Sequence, residues 1–384
     1  MGKMQPSATL SITSKAKELK AAGRDICSMS AGEPDFDTPQ AIKDACIKAL
    51  EEGKIGYTPA SGLPELRQAV ADKFMKENNI KTSMAQCVVA PGAKFSVFTA
   101  VATLCGPGDE VILLSPYWVS YPEMVTATGA KIVVIETKAE NNFEVTEEQL
   151  AAAVTENTKL LILNSPSNPC GSIYSLETLQ MIAKSAIDND YMVLSDEIYE
   201  KLVFDEKYPH ISIASLSDEI NERTITVNGL SKAYSMTGWR LGYLTAPLWL
   251  AKRIIAFQSH TTSNATTFAQ YGALEALKGS VDDEVEAMRQ AFAERSKLIY
   301  ELVNDIDGLS AVKPTGAFYL FIDVSSFGLN DEEFADRLLE EYEVAAIPGA
   351  PFGAPGFIRL SYACDEATIR KAVQRLAACC DSLR

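Results

Sequence analysis

Seven short apolar runs strung between Cys87 and Thr245 constrain this 384-residue chain more than any other feature. They are CVVA (87–90), EVILLS (110–115), KIVVIET (131–137), KLLILN (159–164), MVLS (192–195), TITV (224–227) and LGYLT (241–245), and most are separated by stretches with helical spacing. Runs of this length read as strands buried on both faces, and parallel neighbours need a long crossover between them. The pattern therefore predicts an α/β fold with a mostly parallel central sheet between helices. Upstream, TPQAIKDACIKALEEG and PELRQAVADKFMKENN read as two helices, the first with Pro39 in its opening turn and Gly53 at its end.

From Val281 the texture changes to a long charged helix, then AFYLFIDV, a helix near 331–342, VAAIPG, FIRLSYA and a terminal helix, which predicts a smaller α+β domain. Single cores rarely grow past about 250–300 residues, so two domains are expected, with the cleft between them as the default ligand site.

Charge and cysteine usage narrow the function. With 35 basic against 51 acidic residues the net charge is −16, and no Lys/Arg-rich run is present, so nucleic acid and anionic membrane are poor partners. Eight scattered cysteines without a CxxC pair, together with only two histidines, His210 and His260, argue against a zinc site or a disulfide framework. The histidines read as surface or core polar groups and Cys379-Cys380 as helix packing. The opening MGKMQPSATLSITSK lacks an apolar leader core, and no apolar run approaches the ~20 residues of a membrane span. A cytoplasmic protein with reduced thiols is expected.

In open α/β sheets, ligands collect beyond the carboxyl ends of the strands. Four predicted strand ends are followed by PGAKFSVF, SPSNPCG, DEIYE and GLSKAYSMTGWRLG, which supply Lys94, Asn168, Asp196, Tyr199, Ser231, Lys232 and Arg240. This set of cations, hydroxyls and one acid suits an anionic, aromatic, hydrogen-bonding cofactor. GxGxxG, GxxxxGK[ST] and GxSxG are all absent, which removes the main support for dinucleotide, P-loop and serine-hydrolase readings. Lys232 follows a strand and Gly229, and a lysine held in such a place can lose its proton and form a Schiff base. Taken singly, each residue also has a plain reading: Asp196 as a helix cap, Lys232 and Lys94 as solvated lysines, Trp118 and Tyr121 as core aromatics, and Arg359 as the partner of any acid.

Taken together, AGEPDFDTP, YTPASGLPELR, LSPYWVSYPEM, SPSNPCG, SDEIYE, MTGWRLGY, GAFYLF and RLSYA resemble the class I aminotransferases, pyridoxal phosphate enzymes of fold type I. The resemblance runs the length of the chain and is strongest to the bacterial aspartate aminotransferases of the thermophile, cyanobacterial and plastid subgroup. It implies pyridoxal 5'-phosphate as cofactor, amino acids and 2-oxo acids as substrates, and a homodimer. Residues 41–280 would form the large cofactor-binding domain, with 1–40 and 281–384 as N-terminal arm and small domain.

Residue by residue, Lys232 matches the Schiff-base lysine, Asp196 the acid paired with the pyridine nitrogen, and Tyr199 and Asn168 the donors to the ring hydroxyl. Ser231, Arg240, Ala93, Lys94 and Tyr57, the last from the other subunit, match the phosphate contacts. Trp118 matches the aromatic residue stacked on the ring. Arg359 matches the grip on the substrate α-carboxylate, and Gly32 a backbone contact to the same substrate, which Trp118 and Asn168 also reach. Lys94 with Thr9 matches the pair that receives a distal carboxylate, which implies aspartate and 2-oxoglutarate as substrates. Relatives that also aminate prephenate are associated with a lysine directly before Pro-Ser; here that position is Gln5, which argues against prephenate without removing it. Other outcomes on the same cofactor, such as β-elimination or transamination of aromatic, branched or alanine substrates, differ in the distal pocket. A cofactor-sensing regulator would need a DNA-binding domain, of which the sequence carries no pattern.

Overall fold

The computed structural model describes residues 6–205 and 207–384, so Gln5 lies outside the described residues. Each of the seven apolar runs is a strand of one sheet: β1 (Cys87–Ala90), β2 (Glu110–Ser115), β3 (Lys131–Glu136), β4 (Thr158–Asn164), β5 (Met192–Asp196), β6 (Thr224–Gly229) and β7 (Gly242–Thr245). Their order is β1-β7-β6-β5-β4-β2-β3. β3, β2, β4, β5 and β6 pair in parallel, whereas β7 runs antiparallel to both β6 and β1. The chain between β6 and β7 is therefore a hairpin loop and not a crossover. That loop is the GLSKAYSMTGWRLG segment.

Alternation along the strands sends side chains to two faces. Val111, Leu113, Leu160 and Ile162 pack on one side with Val97, Val101, Tyr121 and Ile254. Ile112, Leu114, Leu161 and Leu163 pack on the other with Leu150, Leu179 and Ile182. Burial between two helical layers is why these strands are apolar throughout instead of alternating with polar residues. β3 is one of the two edge strands, and within it only Ile135 is buried. Helix Gln40–Glu51 starts one residue later than expected, with Pro39 at the cap, because an N-terminal proline has no N–H to leave unsatisfied. Helix Pro64–Asn78 ends in the left-handed Asn79, which its short polar side chain tolerates.

A second, antiparallel sheet is built from β8 (Ser310–Ala311), β9 (Tyr319–Asp323), β10 (Ile347–Pro348) and β11 (Phe357–Ser361), in the order β10-β11-β9-β8. Helices Asp282–Asn304, Asp331–Glu340 and Glu366–Asp381 cover it through Phe292, Phe334, Leu338, Ile369 and Leu376, and Cys379 and Cys380 are buried in the same cluster. All eight cysteines are free thiols. The N-terminal segment joins this part, since Cys27–Ser28 pairs in parallel with Val344–Ala345. Helix Ala8–Ala21 packs there through Ala16 against Leu339 and Ala345. Among the described residues no helix is long and apolar enough to cross a membrane.

Candidate active site

A cavity of about 320 Å³ opens at the carboxyl edge of the large sheet. β1, β4, β5 and β6 all end there. Because β7 is antiparallel it begins there, which brings Arg240 to the same edge as Ser231 and Lys232.

One end of the cavity is an anion cup. Gly92, at φ 92°, caps helix Ala93–Leu104, whose first N–H groups have no acceptor within the helix. A Cβ on Gly92 would stand 2.6 Å from Arg240 Nη2, and one on Gly242 only 2.2 Å from the Ala93 nitrogen. Glycine at these two positions lets the helix N-terminus, β7 and the Arg240 guanidinium close on one another, and Ser231 lines the same cavity. Backbone N–H groups, a hydroxyl and a guanidinium converging at a helix N-terminus are what a phosphate requires.

Lys94 occupies the first turn of that helix, where the macrodipole disfavours a cation. Its ammonium lies 4.9 Å from the Trp118 ring centroid, and burial, with Arg240 nearby, lowers its pKa. Lys232 Nζ donates to the Gly32 carbonyl at 2.5 Å. Burial, with Arg359 and Arg240, pulls its pKa down to about 8 against the opposing pull of Glu33 and Asp196. A lysine so placed gives up its proton more readily than an exposed one.

Asp196 ends β5 and is buried. Its Oδ2 accepts from the Tyr121 hydroxyl at 2.7 Å, and its Oδ1 accepts from the Ile198 N–H at 3.4 Å. Burial outweighs these bonds and pushes its pKa up to about 6, a carboxylate short of a positive partner. Tyr199, three residues on, shares a 2.8 Å hydrogen bond with the Tyr319 hydroxyl.

Arg359, on β11, is 2% exposed. It donates to Asn168 Oδ1 and to the Ser30 carbonyl, both at 2.9 Å, and lies over the Tyr319 ring at 4.4 Å. Its Nε has no hydrogen-bond partner, and among the described residues it makes no ion pair. Isolated burial of a charge costs several kcal/mol, so this guanidinium awaits an anion. Thr9 Oγ1, at the cavity wall, is a second buried polar atom without a partner. Gly32 leaves room for Tyr319, whose hydroxyl would lie 3.1 Å from a Cβ there.

Thus Thr9, Gly32, Ala93, Lys94, Trp118, Asn168, Asp196, Tyr199, Ser231, Lys232, Arg240 and Arg359 all line one cavity. Tyr57 does not. It is 94% exposed and lines a separate shallow groove with Ile55, Asn264 and Thr267. Tyr121, Tyr319 and Glu33 belong to the site without having been singled out for it. Tyr121 lies in the first turn of helix Ser120–Thr128, its ring edge-to-face with that of Trp118 at 5.2 Å, a contact that core packing explains equally well.

A lysine, a buried acid and an anion cup at the carboxyl edge of an α/β sheet, facing an arginine without a counter-ion, define a group-transfer enzyme for carboxylate substrates. The chain belongs to the aminotransferase class I and II family, whose model matches residues 24–376. It is 46% identical to an aspartate aminotransferase of Bacillus subtilis over 97% of this chain and 96% of that one. It is 47% identical to a probable aspartate/prephenate aminotransferase of Aquifex aeolicus over 97% and 95%. Among solved structures, the aspartate aminotransferase of Thermus thermophilus with maleate superimposes with a TM-score of 0.94 at 42% identity, covering 98% of this chain and 97% of that one. The protein is an aminotransferase, and the α/β architecture expected from its strand pattern is the one it has.

Proposed function

We propose that this aminotransferase uses pyridoxal 5'-phosphate to transfer the amino group of L-aspartate to 2-oxoglutarate, giving oxaloacetate and L-glutamate in two half-reactions. The observation that carries this reading is the buried, counter-ion-free Arg359 opposite Lys232 in a cavity that also holds an anion cup. When bound, the cofactor supplies an aldehyde that joins to amines and a ring that draws electrons from the substrate Cα. Lys232 would be the amine for that aldehyde and the base that takes the substrate's Cα proton. Asp196, lacking a positive partner, would hold the ring nitrogen protonated, while Tyr199 and Asn168 would donate to the ring hydroxyl. The cup of Ala93, Lys94, Ser231 and Arg240 would hold the phosphate, with Trp118 against the ring.

Arg359 is the fork for the α-carboxylate, a geometry that guanidinium matches in two parallel bonds. Lys94 and the unpartnered Thr9 hydroxyl would receive the distal carboxylate. Alanine at Lys94 should lower kcat/KM for aspartate and glutamate about 10- to 150-fold, the worth of a charge-assisted hydrogen bond, and affect alanine or phenylalanine far less. Equal losses for acidic and neutral substrates would refute the distal-carboxylate role. The name of the Aquifex relative gives prephenate a place in the same substrate panel.

The active unit in this reading is a cytoplasmic homodimer, in which Tyr57, exposed on its own subunit, reaches the neighbour's cofactor phosphate. Residues 41–280 would carry the cofactor, while 1–40 and 281–384 form the smaller part that brings Arg359. The Cys27–Ser28 pairing with Val344–Ala345 supports that division. Sedimentation at assay concentration should give a dimer, and Tyr57→Phe should weaken pyridoxal phosphate binding. A fully active monomer would contradict the assembly.

A further inference from the structure

Behind the catalytic turn lies a buried polar cluster that the proposed reaction does not use. The segment 196–200 is two-sided: Asp196 and Tyr199 face the cavity, whereas Glu197 and Glu200 face away, toward helix Pro64–Asn78. Glu197 is fully buried. Its Oε1 accepts from the Ser195 hydroxyl at 2.8 Å, and its Oε2 is met by the Ser212 hydroxyl at 2.5 Å and His210 Nε2 at 3.0 Å. Glu200 is bonded by Asn78 Nδ2 at 2.6 Å and paired with the buried Lys73 ammonium. Glu77 and Lys201 form an outer pair at 3.0 Å beside Lys73.

Two features decide how this cluster works. The donor atoms of Glu197, Glu200 and His210 lie within 4.8 Å of one another, but the cation there is already Lys73, and Asn78 and Ser212 fill the remaining acceptor positions, so no metal is called for. Glu77, Glu197 and Glu200 carry three negative charges against two positive ones on Lys73 and Lys201, so the cluster is neutral only with His210 protonated. Burial pulls the imidazole down and Lys73 opposes its charge, but Glu197 and then Glu200 outweigh them and hold its pKa above the ordinary value. His210 Nδ1 is buried without a hydrogen-bond partner among the described residues, so the charge of the protonated ring is held from the Nε2 side, by Glu197 and the nearby Glu200, and the proton on His210 bears on the turn through that contact.

We propose that His210 is a positioning residue for the transamination reaction: as an imidazolium bonded to Glu197 it fixes the 196–200 turn so that Asp196 and Tyr199 keep their places in the cavity. The inference rests on the functional reading above, because it assigns the two presented groups their work on the cofactor. It predicts that the imidazolium persists where a free histidine is mostly neutral, and that removing its charge damages turnover more than substrate binding.

The chain's two histidines make the test direct. In the holoenzyme of His260→Gln, labelled with 15N-histidine, the single remaining imidazole signal should be that of the protonated ring at pH 7.5. His210→Gln keeps an N–H donor but no charge; kcat with aspartate should fall about tenfold, with KM within about twofold. The pH midpoint of the visible cofactor band, which senses Tyr199 and Asp196, should move. The double variant Glu197→Gln/His210→Gln restores neutrality and should recover much of the lost kcat, whereas if the charge plays no part the double variant is no faster than His210→Gln alone. A neutral imidazole at pH 7.5, or a His210→Gln enzyme with unchanged kcat and band midpoint, overturns the proposal. A wild-type chain with neither a visible cofactor band nor transfer from aspartate would instead overturn the functional reading on which it rests.

Discussion

Alanine at Lys232 should abolish transfer from aspartate to 2-oxoglutarate while the chain still binds pyridoxal phosphate. The two effects separate because the residues are separate. The Lys232 ammonium donates to the Gly32 carbonyl, whereas the anion cup is made by the first turn of helix Ala93–Leu104, Ser231 and Arg240. Among the described residues the one other lysine lining the cavity is Lys94, whose ammonium lies over the Trp118 ring. Equilibrium dialysis should detect bound pyridoxal phosphate in the variant, spectrally altered for want of the amine, and assays should detect no product above the uncatalysed level. Ordinary turnover with an unchanged cofactor spectrum would remove Lys232 from the chemistry.

Asparagine at Asp196 should lower activity by orders of magnitude, and it should do so while strengthening the cofactor-free fold. Asparagine keeps the shape and can still accept from Tyr121, but it carries no charge to keep a ring nitrogen protonated. The stability effect follows from the sign of the Asp196 shift. A carboxyl whose pKa rises from 3.8 to about 6 on folding favours the folded chain below pH ~3.8 and loses that contribution as pH climbs to about 6. Above pH 6 the wild-type fold carries an ionised, buried carboxylate that the variant lacks. The cofactor-free variant should therefore unfold at higher temperature than the cofactor-free wild type at pH 7–8, by about 1–3 kcal/mol in stability. Near pH 4 the two should converge. Calorimetry on both forms checks the sign, and a variant destabilised at pH 8 would contradict the burial argument.

The strands were legible because their chemistry is monotonous: two helical layers enclose the sheet, and only apolar runs survive there. The direction of β7 was not, since LGYLT reads the same either way. What bears on it is the short, non-periodic GLSKAYSMTGWRLG link, too poor in apolar spacing for a crossover helix. The two-residue strands Cys27–Ser28 and Val344–Ala345 are too short for any periodicity. Within the site, residues at strand ends were read because a motif surrounds each one. Tyr319 was missed although its GAFYLF motif was seen, because it sits among aromatics that also pack, Phe318 above all. The unpaired state of Arg359 and the Glu197–His210 contact depend on which elements meet in space, and spacing along the chain carries neither.

The large sheet comes from one uninterrupted stretch of chain, 87–245, whereas Arg359 belongs to a strand about 120 residues beyond Arg240. On a ribosome adding about 5–20 residues per second, roughly 6–24 seconds separate the two arginines. During that interval the nascent chain already holds Ala93, Ser231, Lys232 and Arg240 but not yet Arg359. The part of the cavity that carries Arg359 is thus the last to be made, after the lysine and the helix N-terminus that it shares the cavity with.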